Sequence, residues 1–312
     1  MSVRFSVVVP TFNRPRQLAR CLTALAEQTL PRLLFEVVVV DDGGRQSLQP
    51  LIDDFAGRLQ IKLLRQPNGG CAAARQFGID HARGEYLAFT DDDCRPAPDW
   101  LAQIEAAVLR DPNCAVAGQT TNASDDDLYA EATQSIVESL VISGRDASGY
   151  VRYAPTNNLV FPKAPFFAIG ALDRSWRIAG GEDRDLCARW NQAGFRLSYE
   201  SSVRVLHYHR LNLRGFLRQH LDYGRGAWRY YTNEASSPQF ESPGLYPRLL
   251  LAPFREHPAG RALAVCGLVL LAQFATAAGL LAQAVRREPV PRKPALTEGS
   301  ASKRAKSANS AS

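Results

Sequence analysis

The chain has 312 residues, 46% of them hydrophobic, enough for one large core or two modest ones. Its formal charge of +6 is concentrated at one end: residues 286–312 hold seven Lys/Arg and two Glu, which is +5, so the rest carries about +1. A basic nucleic-acid face on the folded part is therefore not supported, and six cysteines without a CxxC pair argue against a zinc or redox site.

No signal peptide pattern opens the sequence: Met1 to Arg4 runs straight into an apolar strand, which predicts a reduced, cytoplasmic setting. Phe5 to Val9 is a β-branched run ending at Pro10 and reads as a buried strand. Asn13-Arg14-Pro15 then starts a helix, with Leu18, Cys21, Leu22 and Leu25 at helical spacing. Phe35 to Val40 is a second buried strand and runs into Asp41-Asp42-Gly43-Gly44. Leu51 to Phe55 predicts a helix, Gln60 to Leu64 a third strand, and Gly69 to Ala82 a helix after its glycines. Tyr86 to Phe89 is a fourth strand and runs into Asp91-Asp92-Asp93. Strands that are apolar throughout, alternating with helices, predict an α/β fold with a mainly parallel sheet covered on both faces. Pro98-Asp99-Trp100 opens an amphipathic helix with Leu101, Ile104 and Val108 on one side. Further on, Asn157 to Phe161 and Val203 to Leu206 read as strands, and Asp183 to Ala193 as a helix closed by Gly194.

Residues 262–285 carry no charge and would form a helix about 36 Å long, against a hydrocarbon core of roughly 30 Å. The remainder, 286–312, is rich in Ala, Ser, Lys, Arg and Pro and reads as a disordered basic tail.

The acidic clusters at two strand ends carry the chemistry. Ligands of open parallel sheets bind beyond the carboxyl ends of the strands. Adjacent carboxylates repel, and a hard divalent cation compensates them while keeping places for phosphate oxygens. A phosphohydrolase would want DxDx followed by Thr or Val on the first strand, whereas this cluster reads Asp91-Asp92-Asp93-Cys94-Arg95 on the fourth. A nucleotidylyltransferase would carry a Gly-rich loop after the first strand, where Pro10-Thr11-Phe12-Asn13-Arg14 stands instead. A Walker loop is absent.

With these motifs in view the chain resembles family 2 glycosyltransferases, which have the GT-A fold. The resemblance rests on Ser6 to Arg14 (SVVVPTFNR), Val37 to Gly44 (VVVVDDGG), Asn68 to Gln76 (NGGCAAARQ), Thr90 to Pro96 (TDDDCRP) and Gly181 to Arg189 (GEDRDLCAR), in the family's order, and covers about residues 3–225. It implies a GT-A, Rossmann-like mixed sheet, with residues 1–120 as the nucleotide-sugar half and 121–230 as the acceptor half. A connector (231–261), the apolar segment (262–285) and the basic tail (286–312) would follow.

The resemblance also implies roles. The DXD element holds metal and donor diphosphate. That makes Asp93 the direct ligand of Mn²⁺ or Mg²⁺ and sets Asp91 beside the ribose and the ion, with Asp92 in the same donor segment but without a role of its own. Asp42 would hydrogen-bond the base edge, and Pro10, Thr11 and Phe12 would border the base. Phe12 would either stack on the base or sit in the core. Arg75 would either approach the donor phosphates or be an exposed helix charge. Asp183 would be the general base that takes the acceptor's hydroxyl proton, inverting the anomeric centre, with Glu182 shaping the acceptor pocket. As a carboxylate pair at a helix start, both would also gain from the helix dipole alone. His207 would complete the metal shell, with His209 in reserve. Asn157-Asn158 and Gln219 to Gly226 (QHLDYGRG) would lie near the acceptor. The latter replaces the QxxRW pattern of processive synthases, which argues against chain extrusion.

The expected activity is metal-dependent inverting transfer from a nucleotide-sugar donor, UDP by default, to a hydroxyl acceptor, for which a lipid-linked or cell-envelope glycan would suit. A non-catalytic scaffold with this fold and a nucleotidylyltransferase are the competing readings. Arg255 and Arg261 precede the apolar segment, and Arg286, Arg287, Arg292 and Lys293 follow it. Keeping both flanks cytoplasmic excludes a simple span and predicts an in-plane or re-entrant segment, with the tail on anionic lipid at the inner face of the membrane.

Overall fold

The structure is a computed structural model that describes residues 2–124, 126–177, 180–233 and 244–286. Apart from Arg286, the predicted basic tail lies outside the described residues, as does much of the connector.

One sheet organises the molecule. Its strands are β1 (Phe5–Thr11), β2 (Phe35–Asp41), β3 (Ile61–Arg65), β4 (Tyr86–Thr90), β5 (Cys94–Pro96), β6 (Ala115–Asn122), β7 (Asn158–Pro162) and β8 (Leu197–His207), in the order β3-β2-β1-β4-β7-β6-β8-β5. The β3-β2-β1-β4 half is parallel throughout, and β7 reverses direction on both its neighbours. The sheet is thus mixed, as expected, with one parallel part formed by the four apolar runs and a second by β6 and β8.

Alternating side chains of those runs feed two separate cores, because successive residues of a strand face opposite sides. Val7, Val9, Val37 and Val39 pack with Leu18, Leu22 and Leu25 of α1 (Pro15–Ala26) and with Trp100 and Ile104 of α4 (Trp100–Arg110). On the other face, Val8, Leu87 and Phe89 pack with Ile79 of α3 (Cys71–Asp80) and with Leu186 and Trp190 of α7 (Glu182–Gln192). Each such side chain contributes about 1.5–3 kcal/mol of burial. Between α1 and α4 the chain order also includes the predicted short helix α2 (Gln49–Asp53), one turn long.

From β5 onward the chain holds elements the sequence did not announce. These include β5, β6, α5 (Leu128–Ser143), α6 (Lys163–Ala168) and α8 (Leu213–Thr232). The strand expected at Val203 to Leu206 extends back to Leu197, with a register irregularity between Gly118 and Gln119 on its partner β6. The expected connector itself carries two short helices, α9 (Leu245–Leu251) and α10 (Pro253–Glu256), and the apolar segment forms α11 (Ala259–Arg286), which starts three residues earlier than expected.

By length and composition α11 could cross a membrane, yet one of its faces is packed on the catalytic body. Val265, Val269 and Ala272 join Ala132 and Ile136 of α5, Phe216 of α8 and Leu249 of α9 in a third core. Arg261 donates from Nε to Glu131 at 3.0 Å, so this flank charge is engaged within the protein. The crossing with α8 is made by glycines. A Cβ on Gly224 would stand 1.9 Å from the Thr276 carbonyl oxygen, and one on Gly279 would stand 2.0 Å from that of Leu221.

Candidate functional site

The site begins where the parallel strands end. At the end of β2, Asp41 Oδ1 accepts the Gly44 N–H at 2.7 Å. Asp42 is buried and accepts from Gln66 Nε2 at 2.7 Å and from the N–H groups of Gly69 and Gly70, each at 2.9 Å. It thereby fixes the turn that starts α3, where Gly70 has φ +87°, a conformation that disfavours side chains. Any contact from Asp42 to a base edge would share oxygens that already hold this turn. Pro10 and Thr11 are buried at the end of β1, whereas Phe12 is 47% exposed and is no core aromatic.

The three aspartates after β4 point to different partners. Asp92 turns inward, accepting from Thr11 Oγ1 at 2.7 Å and Arg14 at 3.2 Å, so its place is to tie the ends of β1 and β4 together. Burial, opposed by Arg14, pushes its carboxyl up to about 6. Asp93 meets Arg14 at 3.0 Å, His207 Nε2 at 3.3 Å and His209 Nδ1 at 3.6 Å. Burial works to raise its pKa, but the two imidazoles and Arg14 outweigh it and hold the carboxyl well below the usual range. Asp91 pairs with Arg75 at 2.5 Å. Arg75 is only 3% exposed, so it is not a surface helix charge. Its Nε is buried and finds no acceptor among the described residues, which leaves one N–H for a ligand oxygen.

Glu182 and Asp183 stand at the first turn of α7. Glu182 is buried and accepts the N–H groups of Gly180 and Gly181 at 2.9 and 3.1 Å. Asp183 accepts from the Thr156 N–H at 3.2 Å and from its hydroxyl at 3.0 Å. Burial and the neighbouring Glu182 charge, partly offset by Arg75, push Asp183 up to about 7. Its carboxylate is oriented, and its proton affinity suits base chemistry at neutral pH.

Arg75, Asp91, Glu182, Asp183, His207 and His209 all line one cavity of about 1010 Å³. A second cavity, about 760 Å³, borders Asp93 and carries Arg14, Arg16, Arg20 and Arg95, a cationic wall suited to an anionic ligand. The two histidine rings stack with centroids 5.2 Å apart, and His209 Nε2 also meets Gln219 Oε1 at 2.9 Å. Asp93, Cys94 and His207 offer donor atoms within 4.8 Å of one another. Burial, with Asp91 and Asp93, drives the Cys94 thiol far up. A carboxylate with one or two imidazoles fits a divalent cation.

One expectation needs correcting. Asn158 does not face an acceptor: it is buried under the sheet, accepting from Trp100 Nε1 at 2.8 Å and donating to the Gln119 and Val203 carbonyls, each at 3.0 Å. Only Asn157 of that pair lines the cavity. Asp92, given no role by the sequence, serves Thr11 and Arg14 and also lines the second cavity. Two contributors were missed as site residues. Arg14 had been read only as a helix start, and Thr156 gave no signal beyond a polar stretch before a strand.

Residues 6–170 match the sequence family described as Glycosyl transferase family 2. The pre-mycofactocin glycosyltransferase of Mycobacterium tuberculosis is 31% identical over 229 residues, which is 71% of this chain and 46% of that protein. The chain thus spans about half the length of that curated relative. Among solved structures, the mannosyltransferase PcManGT from Pyrobaculum calidifontis, in complex with GDP-Man and Mn²⁺, superposes with a TM-score of 0.59 at 22% identity, covering 100% of this chain and 81% of that one. S. aureus TarS 1-349 in complex with UDP-GlcNAc gives 0.57 at 17% identity, covering 90% and 89%. The shared fold is GT-A-like.

Proposed function

The chain belongs to glycosyl transferase family 2, and from that premise we propose that it is a metal-dependent, inverting glycosyltransferase with Asp183 as its general base. The observation that carries the reading is the single cavity shared by Arg75, Asp91, Asp183 and His207, side chains from four separate elements. Residues 1–120 would bind the donor and 121–230 the acceptor.

Asp93, with His207 or His209 and with Asp91 nearby, would hold Mn²⁺ or Mg²⁺. When bound, the ion neutralises charge developing on the departing nucleoside diphosphate. The chain's own groups do the rest. Arg75, held by Asp91, offers its spare N–H to a phosphate oxygen. Thr156 aims Asp183, which takes the proton of the attacking hydroxyl as that oxygen bonds to the anomeric carbon. Glu182 fixes the Gly180–Gly181 backbone that walls the acceptor side. Phe12 stands exposed after β1, free to cover a base. A UDP-sugar is the favoured donor, as in the TarS complex, with GDP-sugars the alternative, as in the PcManGT complex.

The acceptor is a hydroxyl on a lipid-linked or cell-envelope glycan, met at the cytoplasmic face of the membrane. The support is the exposed stripe of α11, Leu263, Leu270, Phe274, Leu281 and Val285 at spacings of seven and four residues. A helix docked along its length on α8 fits in-plane association rather than a span.

The test is a pair of variants measured with Mn²⁺ and a panel of sugar nucleotides. Asp183→Asn should keep donor binding and lose turnover; Asp93→Ala should lose metal-dependent donor binding. Normal turnover in Asp183→Asn would remove the base assignment.

A further inference from the structure

We infer that α11 forms part of the substrate site, and that its inner face lines a channel for the apolar chain of an amphiphilic acceptor whose hydroxyl reaches Asp183. The inference rests on the transferase reading above and names its acceptor class.

The cavity that holds Asp183 has two chemically distinct ends. One is polar, with Asp91, Asp183 and His207. The other is walled by Ile136 and Leu140 of α5, Leu249 of α9, and Phe274, Ala277 and Leu280 of α11. Thr133 and Gln134 of α5 and Gln273 and Thr276 of α11 also line the cavity, but hydroxyls of a wholly hydrophilic acceptor that met the apolar side chains instead would find no partner, which is costly. An apolar chain gains there instead.

Two residues carry the apolar wall to the protein surface. Tyr246 and Phe274 line the cavity, and they are also 58% and 74% exposed on the outer apolar surface. Phe274 belongs to the same stripe as Leu270 and Leu281. The apolar path therefore continues from the inside of the cavity to the outside of the protein. A compact aromatic alcohol would end inside; a lipid chain would follow the path into a bilayer. The wall is firm, because α8 and α11 touch backbone to backbone at Gly224 and Gly279. An anchor that only tethered the domain would have no need of this contact or of a face turned toward the base.

The experiment titrates the full chain, with Mn²⁺ and UDP, against methyl, butyl, hexyl and octyl β-glucoside below their micelle concentrations. Affinity should rise by up to about fourfold per added methylene. Ala277→Trp, which fills the channel from α11, should abolish that dependence while UDP still binds. Leu140→Trp fills it from the opposite wall and gives the same readout if the first variant misfolds. A flat chain-length series in the unaltered protein would overturn the inference. So would a dependence that survives both tryptophans, or one lost in Leu263→Ser but kept in Ala277→Trp, since that would put the chain on the outer face. Absent UDP binding with the chain-length series intact would count against the transferase reading and leave the channel standing.

Discussion

The two glycines at the α8–α11 crossing make opposite predictions from a third glycine of the same helix. In Gly279→Ala the new Cβ would lie 2.0 Å from the Leu221 carbonyl oxygen, whereas ordinary contacts begin at 3.4 Å. The atom it meets is backbone, so no side chain can swing aside, and the helices must part by about 1.4 Å. Overpacking of this kind costs roughly 1–3 kcal/mol, sometimes more, against a helix-propensity gain of about 1 kcal/mol. The expected net change runs from about zero to a loss of about 2 kcal/mol, a fall in melting temperature of up to about 3 °C for a chain whose unfolding entropy is about 0.65 kcal/mol/K. Gly267→Ala sits on the same helix with nothing within 4 Å of its Cβ. It keeps only the propensity gain and should melt at the same temperature or slightly higher. Differential scanning calorimetry on both variants and on the unaltered chain reads the contrast. If Gly279→Ala is as stable as Gly267→Ala, α11 is not clamped to α8, and its role as a cavity wall falls.

Other consequences can be checked separately. Asp183, raised from its usual value to about 7, should give turnover a rising limb near pH 7 that reflects its ionisation. The same shift means the folded state binds the extra proton between about pH 4 and 7. Its stabilising contribution is therefore complete below pH 4 and lost as pH climbs through 7, and Asp183→Asn should flatten that slope in pH-dependent melts. Arg75→Gln strands the Asp91 carboxylate and removes the spare N–H, so donor affinity should fall at least tenfold; Arg75→Lys should recover part of it, measured by calorimetric titration of UDP. His207→Ala should weaken Mn²⁺ more than Mg²⁺, read as the metal concentration for half-maximal UDP binding.

What could be read from the sequence follows from how each segment is buried. Strands β1, β2 and β4 are covered on both faces, so they show as unbroken apolar runs, and the acidic residues at their ends show as breaks. Strand β6 could not be read this way: Gly118 to Asn122 are polar or small and mostly not buried, and Asn122 lines the cavity. Helix α8 buries Phe216, His220, Gly224, Gly226 and Tyr230, a set with two glycines and a histidine that no hydrophobic template picks out. Partnerships were hidden for a different reason. Thr156 meets Asp183 across 27 positions and Arg14 meets Asp93 across 79, and only folding brings them together. The choice between a buried and an exposed Arg75 needed the packing of α3 on the sheet.

The reversal of β7 against β4 has a consequence of its own. Thr90, the residue before the aspartates, is paired with Asn158, two residues after Thr156. The strand that runs into the three aspartates and the strand that begins two residues after Asp183's partner Thr156 are therefore laced by the same rungs. Their separation is measured out in peptide units, about 3.3 Å at a time, and is not left to a loop. A single residue inserted ahead of Asn158 would miss the mark by one such unit and turn Thr156 to the wrong side. The sheet serves this site as a gauge, and the loops above it can vary without changing the distance it sets.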